Sequence, residues 1–268
     1  MLYCSIILPS KIIINKTTNR ITRYFRISRI ILHTFTGLFI ASVLLPLASK
    51  PYKKRLIKWW CKHLLTAFNI RVVSYGHVPA SDNALTGMMI IANHVSWSDI
   101  HALNSMVPLR FIAKAEIKSW PIFGFLATQA NALFIDRTKR HDAARLIKAT
   151  VQSLKNGDNL CLFPEGTTTE GNEIKPFKGS LIQAAIHAKA IVWPVAIRYP
   201  DANGGTNTKM AYAGKTTLPE AMRQALFQQS PVVELHFLDP IYTSELTDKD
   251  RRSLTLHLHQ LISKKLGL

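Results

Sequence analysis

The stretch IIANHVSWSDIHAL, residues 90–103, opens as an apolar run and closes on Asn93, His94, Ser96, Ser98, Asp99 and His101. His94 and Asp99 stand five apart, across the expected end of a strand and the start of a helix near Ser98. A turn between them lets the Asp99 carboxylate accept from one ring nitrogen of His94 and leaves the other nitrogen free as a base. Two members of a triad are then present without a nucleophile of their own. That arrangement suits deprotonation of a substrate hydroxyl, which attacks directly with no covalent enzyme intermediate. Plainer uses exist: Ser98 or Asp99 as a helix N-cap, His94 as a satisfied core histidine, Ser96 and His101 as solvated groups. A metal site of His94, Asp99 and His101 is open too, although no second cluster of ligand spacing follows downstream. A hydrolase pairing His94 with Ser96 or Ser98 is a further alternative, without a nucleophile-elbow pattern to support it.

A second polar cluster follows in CLFPEGTTTEGNEIKPFKGS, residues 161–180. A β run ends at Phe163 and Pro164, and Glu165, Gly166, Thr167, Thr168, Thr169, Gly171, Lys175 and Lys178 come after it. Glycines admit a ligand close to the backbone, and hydroxyls with lysines suit an anionic or polyol head group. An ordinary turn has the same composition.

These clusters need a scaffold, and from Gly76 onward short β runs alternate with helical stretches. Candidate strands are RVVSY, GMMIIAN, RFIAK, NALFIDR, NLCLFPE, AIVWPVAIR and VVELHFL; candidate helices include 140–155, 179–189, 218–228 and 244–265. The alternation predicts an α/β domain over residues 76–268, a mixed sheet flanked by helices. In such sheets polar chemistry collects where strands end.

Charge and grease lie elsewhere. The formal net charge is +18, yet 13 cations precede the first acid, Asp82, and residues 82–268 carry 21 cations against 16 acids, or +5. A nucleic-acid footprint would spread over the folded domain, so no nucleic-acid partner is expected. Cations interleaved with large apolar and aromatic side chains favour an anionic membrane surface. Residues 1–26 form a basic extension whose apolar start is too short for a secretory leader. Residues 27–49 are borderline for a span, which needs about 20 apolar residues. Beyond them, Tyr52, Leu56, Trp60, Leu64 and Phe68 recur every four residues with Lys54, Lys58 and Lys62 on another side, an amphipathic helix with interfacial aromatics. Basic flanks on both sides favour a re-entrant or half-inserted helix pair over 27–75, membrane-associated on the cytoplasmic face, that of the bacterial inner membrane. Cys4, Cys61 and Cys161 read as isolated thiols in a reducing compartment.

At the two polar clusters the sequence resembles the glycerolipid acyltransferases, specifically the 1-acylglycerol-3-phosphate (lysophospholipid) acyltransferases. NHVSWSD is similar to their His-x-x-x-x-Asp signature, and FPEGT to their third block. KAEIKSWPIFGFLATQANALFIDR is similar to the second block through Lys114, Glu116, Pro121, Gly124 and Arg137, and WPVAI with Pro194 to the fourth. The blocks stand in the family's order across roughly residues 76–200.

The resemblance implies that His94 takes the proton from the free hydroxyl of a lysolipid while Asp99 fixes its tautomer. The hydroxyl then attacks the thioester of an acyl-CoA or acyl-carrier protein, and backbone amides steady the oxyanion. It implies membrane lipids as partners, the thioester as co-substrate and no bound cofactor or metal. Arg137, Glu165 and Gly166 carry over as acceptor-binding residues, with Arg137 facing the lysolipid's phosphate; Thr167, Lys114 and Lys178 join them. The product with a 1-acylglycerol-3-phosphate acceptor is phosphatidate, in phospholipid biosynthesis. One departure stands out: many phosphatidate-forming members have Arg directly after EGT, where it can fork onto a phosphate, and this chain has Thr168. That pattern is closer to members that acylate other lysolipids, lyso-ornithine lipid among them, although Lys175 and Lys178 could replace the lost charge.

Overall fold

The computed structural model describes residues 17–79, 86–135 and 140–268, the last range without the side chains of residues 140–143. Asn19 caps the first helix by accepting from the backbone N–H of Thr22 at 2.8 Å. Helix α1 (Arg20–Phe39) runs through a widened π-turn (Ile40–Leu44) into a last turn, α2 (Leu45–Leu47). The wide turn lies just before Pro46, which has no N–H to offer the preceding turn. At 1.5 Å per residue this continuous helix is about 42 Å long, and by length and composition alone it could cross a membrane. It starts at Arg20, inside the segment that the sequence alone reads as a basic extension ending at residue 26. Asn19 explains the difference: a good N-cap about two turns earlier outweighs the polar composition.

The chain reverses at Ala48 and Ser49 into α3 (Lys50–Phe68), which packs back along α1. Asn69 ends α3 in the left-handed conformation at φ 60°, which Asn tolerates better than most side chains. The sheet follows: β1 (Arg71–Tyr75), β2 (Met88–Ala92), β3 (Arg110–Lys114), β4 (Leu133–Ile135), β5 (Leu160–Leu162), β6 (Ile191–Arg198), β7 (Val232–Phe237) and the short β8 (Ile241–Tyr242). Spatial order is β1-β7-β6-β2-β5-β3-β4, with β8 paired to β6. Strands β2, β5, β3 and β4 run parallel to one another and β2 to β6, while β6 meets β7 and β8 antiparallel. The sheet is therefore mixed, as the alternation predicted.

Helices α4 (Ser98–Met106), α5 (Phe123–Gln129), α6 (Arg140–Lys155), α7 (Ile182–Ala188), α8 (Leu218–Phe227) and α9 (Arg251–Leu266) cover it. Strand β2, MMIIA, is buried on both faces, which is why it reads as an unbroken apolar run. Its alternate side chains feed two cores. Met88, Ile90 and Ala92 meet Leu64, Leu65 and Phe68 of α3, Leu103 of α4 and Leu226 of α8. Met89 and Ile91 meet Leu146 and Leu154 of α6, Ile182 of α7 and Leu258 and Ile262 of α9.

Two expected boundaries move. The residue 75/76 boundary cuts through one core, because β1 pairs in register with β7 and α3 packs on α4. The helix expected over 244–265 begins only at Arg251, after a 3-10 turn whose Thr247 and Asp250 form a capping box. Those two polar residues satisfy the free amides at the helix start, so residues 244–247 have no need to be helical.

The hairpin is fastened to this core near the start of α1, and its two helices are fastened to each other. Arg26, only 5% exposed, donates to the carbonyls of Leu226, Gln228 and Gln229 at the end of α8, at 3.2, 2.6 and 2.5 Å. A cation there also answers the negative end of the helix dipole. Arg29 reaches the Thr66 carbonyl of α3, and His33 stacks on Trp60. What α1 leaves outside is an apolar stripe that includes Ile21, Phe25, Leu32, Phe35, Phe39, Val43 and Leu47.

Candidate active site

The polar cluster sits where β2 stops pairing. The last β2 to β6 rung joins Ala92 and Val195. Beyond it the Asn93 side chain, itself buried, donates to the Ile197 carbonyl at 2.9 Å and accepts from the Ile197 N–H at 2.7 Å. The side-chain amide thus takes the place of a further backbone rung and lets the chain turn away from the sheet. The turn carries His94 and delivers Asp99 into the first turn of α4.

There the two side chains meet. His94 Nδ1 lies 2.8 Å from Asp99 Oδ2, and the same oxygen accepts from the backbone N–H groups of Val95 and Ser96 at 2.7 and 2.9 Å. Asp99 Oδ1 accepts from the Tyr199 hydroxyl at 2.5 Å. Asp99 is 0% exposed, so its charge is held by donors and by the start of α4. A carboxylate can only accept, so Nδ1 carries the proton and Nε2 keeps its lone pair. The imidazole, 17% exposed, lies flat on Phe163, with centroids 3.9 Å apart and planes 8° apart. A ring fixed on one face and at one nitrogen is a base with one direction of approach.

Glu165 occupies a different place from the one expected of an acceptor-binding residue. It is buried, and its two oxygens accept from the backbone N–H of His94 at 2.7 Å and of Lys175 at 2.9 Å. Burial raises its pKa, against the two amides that lower it. It works from behind, tying the His94 turn to the loop that carries Gly166. The Thr169 N–H donates to the His94 carbonyl at 2.9 Å and closes the bracket. Tyr212 completes it from a third loop, its N–H on the Val95 carbonyl at 2.8 Å and its own carbonyl accepting from Thr168 Oγ1. The position where an Arg would fork onto phosphate thus holds a hydroxyl turned into the protein.

Of the remaining candidates, Gly166, Thr167 and Lys178 lie on the loop of this bracket. Gly166 has φ +76°, which a side chain would resist. Thr167 is exposed beside it, and Lys178 is exposed with its N–H on the Pro164 carbonyl at 3.0 Å. Lys114 is the exposed last residue of β3, two strands from β2. Arg137 and neighbouring Asp136 lie outside the described residues. A cleft of about 420 Å³ opens alongside, lined by Thr168, Thr169, Glu170, Asn172, Glu173, Lys175, Ala213 and Gly214.

The rival chemistries fit this geometry poorly. Ser96 and Ser98 are fully buried and bonded to each other, Ser98 also to Tyr199, which leaves neither as a nucleophile for His94. Among the described residues no group of three His, Cys, Asp or Glu side chains is placed to hold a metal. The Val95 and Ser96 amides are committed to Asp99, and so are not the oxyanion donors expected near the dyad. Tyr199, Asn93 and Phe163 were not singled out from sequence. Tyr199 stands at the end of a buried strand run, where a phenol hydroxyl has to find a partner, and that was its available signal.

The comparisons with known proteins fall on the same residues. The sequence profile of the Acyltransferase family matches residues 69–198, a stretch that holds both polar clusters. A lyso-ornithine lipid O-acyltransferase of Pseudomonas aeruginosa is 34% identical over 212 residues, 79% of this chain and 78% of that one. The chain belongs to the acyltransferase family. A 1-acyl-sn-glycerol-3-phosphate acyltransferase of Neisseria gonorrhoeae is 37% identical over 163 residues, 61% of this chain and 64% of that protein. The crystal structure of the 1-acyl-sn-glycerophosphate acyltransferase of Thermotoga maritima shares the fold, with a TM-score of 0.62 at 21% identity over 90% of this chain and 96% of that one. In this acyltransferase the His94 and Asp99 pair is the one arrangement described above that presents a base.

Proposed function

We propose that the enzyme transfers a fatty acyl group from an acyl thioester, on CoA or on a carrier protein, to the free hydroxyl of a lysolipid, with His94 as general base. The observation that carries this is the Nδ1 to Asp99 bond, which leaves Nε2 as the acceptor for a substrate proton. The hydroxyl oxygen attacks the thioester carbonyl as its proton passes to Nε2. The tetrahedral intermediate collapses, the C–S bond breaks, and the thiolate takes up the proton.

The acceptor comes from a membrane, and the apolar stripe of α1 supports work at its surface. Because α3 packs antiparallel along α1 and carries Lys50, Lys53, Lys54, Lys58 and Lys62, a spanning α1 would take those cations with it. A hairpin lying in the interface, cations toward the headgroups, avoids that cost. The basic N-terminal segment supports an anionic, cytoplasmic leaflet as that surface.

Two acceptors remain in view. A 1-acylglycerol-3-phosphate would yield phosphatidate, in line with the Neisseria relative. Lyso-ornithine lipid is favoured by Thr168, which offers no cation, and by a neighbouring cleft of mixed sign, lined by Glu170, Glu173 and Lys175. Such a lining suits a head group bearing both an ammonium and a carboxylate better than a phosphate monoester. The test sets wild type beside His94→Ala in detergent, with labelled acyl-CoA and acyl-carrier protein against lysophosphatidic acid, lysophosphatidylglycerol and lyso-ornithine lipid. Wild type should acylate one of them, and the variant should be slower by about 10²- to 10⁴-fold. Equal rates would remove His94 from the chemistry.

A further inference from the structure

The second sequence block contains a feature that the chemistry does not use. After β3 the chain makes a 3-10 turn (Ala115–Ser119) and then reverses at Ile122, which has φ +63° and ψ −59°. The Phe123 N–H donates to the Pro121 carbonyl at 2.6 Å, so Ile122 is the centre of a γ-turn. A β-branched residue resists positive φ, and this turn type is rare and strained. Gly124 makes it possible: a Cβ there would stand 2.3 Å from the Lys118 carbonyl oxygen and 2.6 Å from that of Ile117. The tight seat turns Ile122, Phe123 and Phe125 outward, 43%, 39% and 38% exposed.

The other face of α5 is covered. Leu126 packs against Ile40, Ala41 and Leu45 at the far end of the α1 and α3 hairpin. Helix α5 therefore sits beside the far end of the hairpin, with the trio on its uncovered side. It also stands at the active-site edge, because β3 runs parallel to β5 and β5 to β2, so all three strands end on the side where His94 turns out. Lys114 and Lys118 flank the block with Glu116 between them.

We infer that α5 is a third membrane contact, whose Ile122, Phe123 and Phe125 enter the headgroup boundary of an anionic bilayer and hold the mouth of the active site against it. This rests on the membrane-surface reading of the hairpin given above. Three supports point to lipid as the occupant. Helix α5 packs on the hairpin through Leu126, the first 81 residues carry 13 cations and no acid, and the strained turn displays large apolar side chains that only an apolar surface would reward. With α5 and the hairpin both seated, a lysolipid hydroxyl reaches Nε2 without leaving the bilayer.

The experiment dilutes detergent-purified enzyme into sucrose-loaded vesicles of phosphatidylethanolamine and phosphatidylglycerol and measures the sedimented fraction. Wild type is compared with Phe123→Ser/Phe125→Ser and with Phe35→Ser/Phe39→Ser in the hairpin. Thermal unfolding and turnover of a short-chain, monomeric lysolipid show that the α5 variant is folded and chemically intact. The α5 variant should partition about tenfold more weakly and lose activity on vesicle-borne lysolipid while keeping it on the monomeric one. Weaker binding by the hairpin variant alone overturns the role of α5 and leaves the membrane reading standing. If neither variant weakens binding, the membrane reading itself fails. A change in oligomeric state with partitioning unchanged would make the α5 face a contact between two copies of the chain, and would also overturn the inference.

Discussion

The Tyr199 hydroxyl stands 2.5 Å from Asp99 Oδ1, joining the end of β6 to the first turn of α4 across a hundred residues. Tyr199 is 1% exposed, and burial, then the Asp99 charge, hold its pKa well above the usual phenol value. It stays protonated and donates throughout the working pH range. Tyr199→Phe removes that donor and leaves Oδ1 without it, at a cost of about 1.5–3 kcal/mol of stability. Because Asp99 sets the direction of His94, kcat should fall by about 10- to 100-fold with KM unchanged. Steady-state kinetics beside urea unfolding check both. A rise in KM at constant kcat would place Tyr199 in substrate binding instead.

Glu165 offers a sharper substitution. Gln keeps one acceptor oxygen but turns an NH2 group toward either the His94 or the Lys175 amide, donor against donor. Glu165→Gln should cost about 2 kcal/mol or more, and the His94 turn should loosen with it. Activity should drop while the dissociation constant for the acceptor, measured separately, stays near wild type. A selective loss of acceptor affinity would return Glu165 to the role its sequence block suggested.

The contrast between these residues shows what a sequence reveals of a site. His94 and Asp99 were legible because one turn joins them, and a spacing of five limits how they can meet. Strand β2 was legible because burial on both faces leaves an unbroken apolar run, and the mixed sheet followed from the alternation around it. Tyr199 and the bracket role of Glu165 depend on partners 100 and 71 residues away, which no local pattern encodes. Helix α5 has seven residues entered through a strained turn, too few to show a period. The two-residue β8 is equally silent. The Asn19 cap lies in a segment that reads only as a basic extension.

Arg26 tests whether the hairpin is part of the fold or an appendage. Its guanidinium is the buried donor to three carbonyls at the end of α8. Arg26→Met keeps much of the stem's packing and strands those carbonyls, which should cost about 3 kcal/mol. Limited proteolysis should then cut near the start of α1 faster than in wild type, with the body of the domain still protected. Unchanged protection would mean that the remaining contacts along α1 and α3 hold the hairpin alone.

His101 gives a pH signature. It lies two residues beyond Asp99 in α4, edge-on to Trp60 and Trp97, with Nδ1 3.6 Å from Cys61 Sγ. Burial, helped by His33, lowers its pKa from 6.5 to about 4. Between those values the unfolded chain binds the proton and the folded one does not. Stability from this residue is therefore complete above pH 6.5 and lost as pH falls toward 4, up to about 3 kcal/mol in all. His101→Leu has no proton to bind in either state, so its stability should fall less steeply over that window. Urea midpoints of the two proteins from pH 7 to pH 4 give the comparison. Parallel curves would mean that His101 is protonated in the fold, and that the junction between the hairpin and α4 admits a charge.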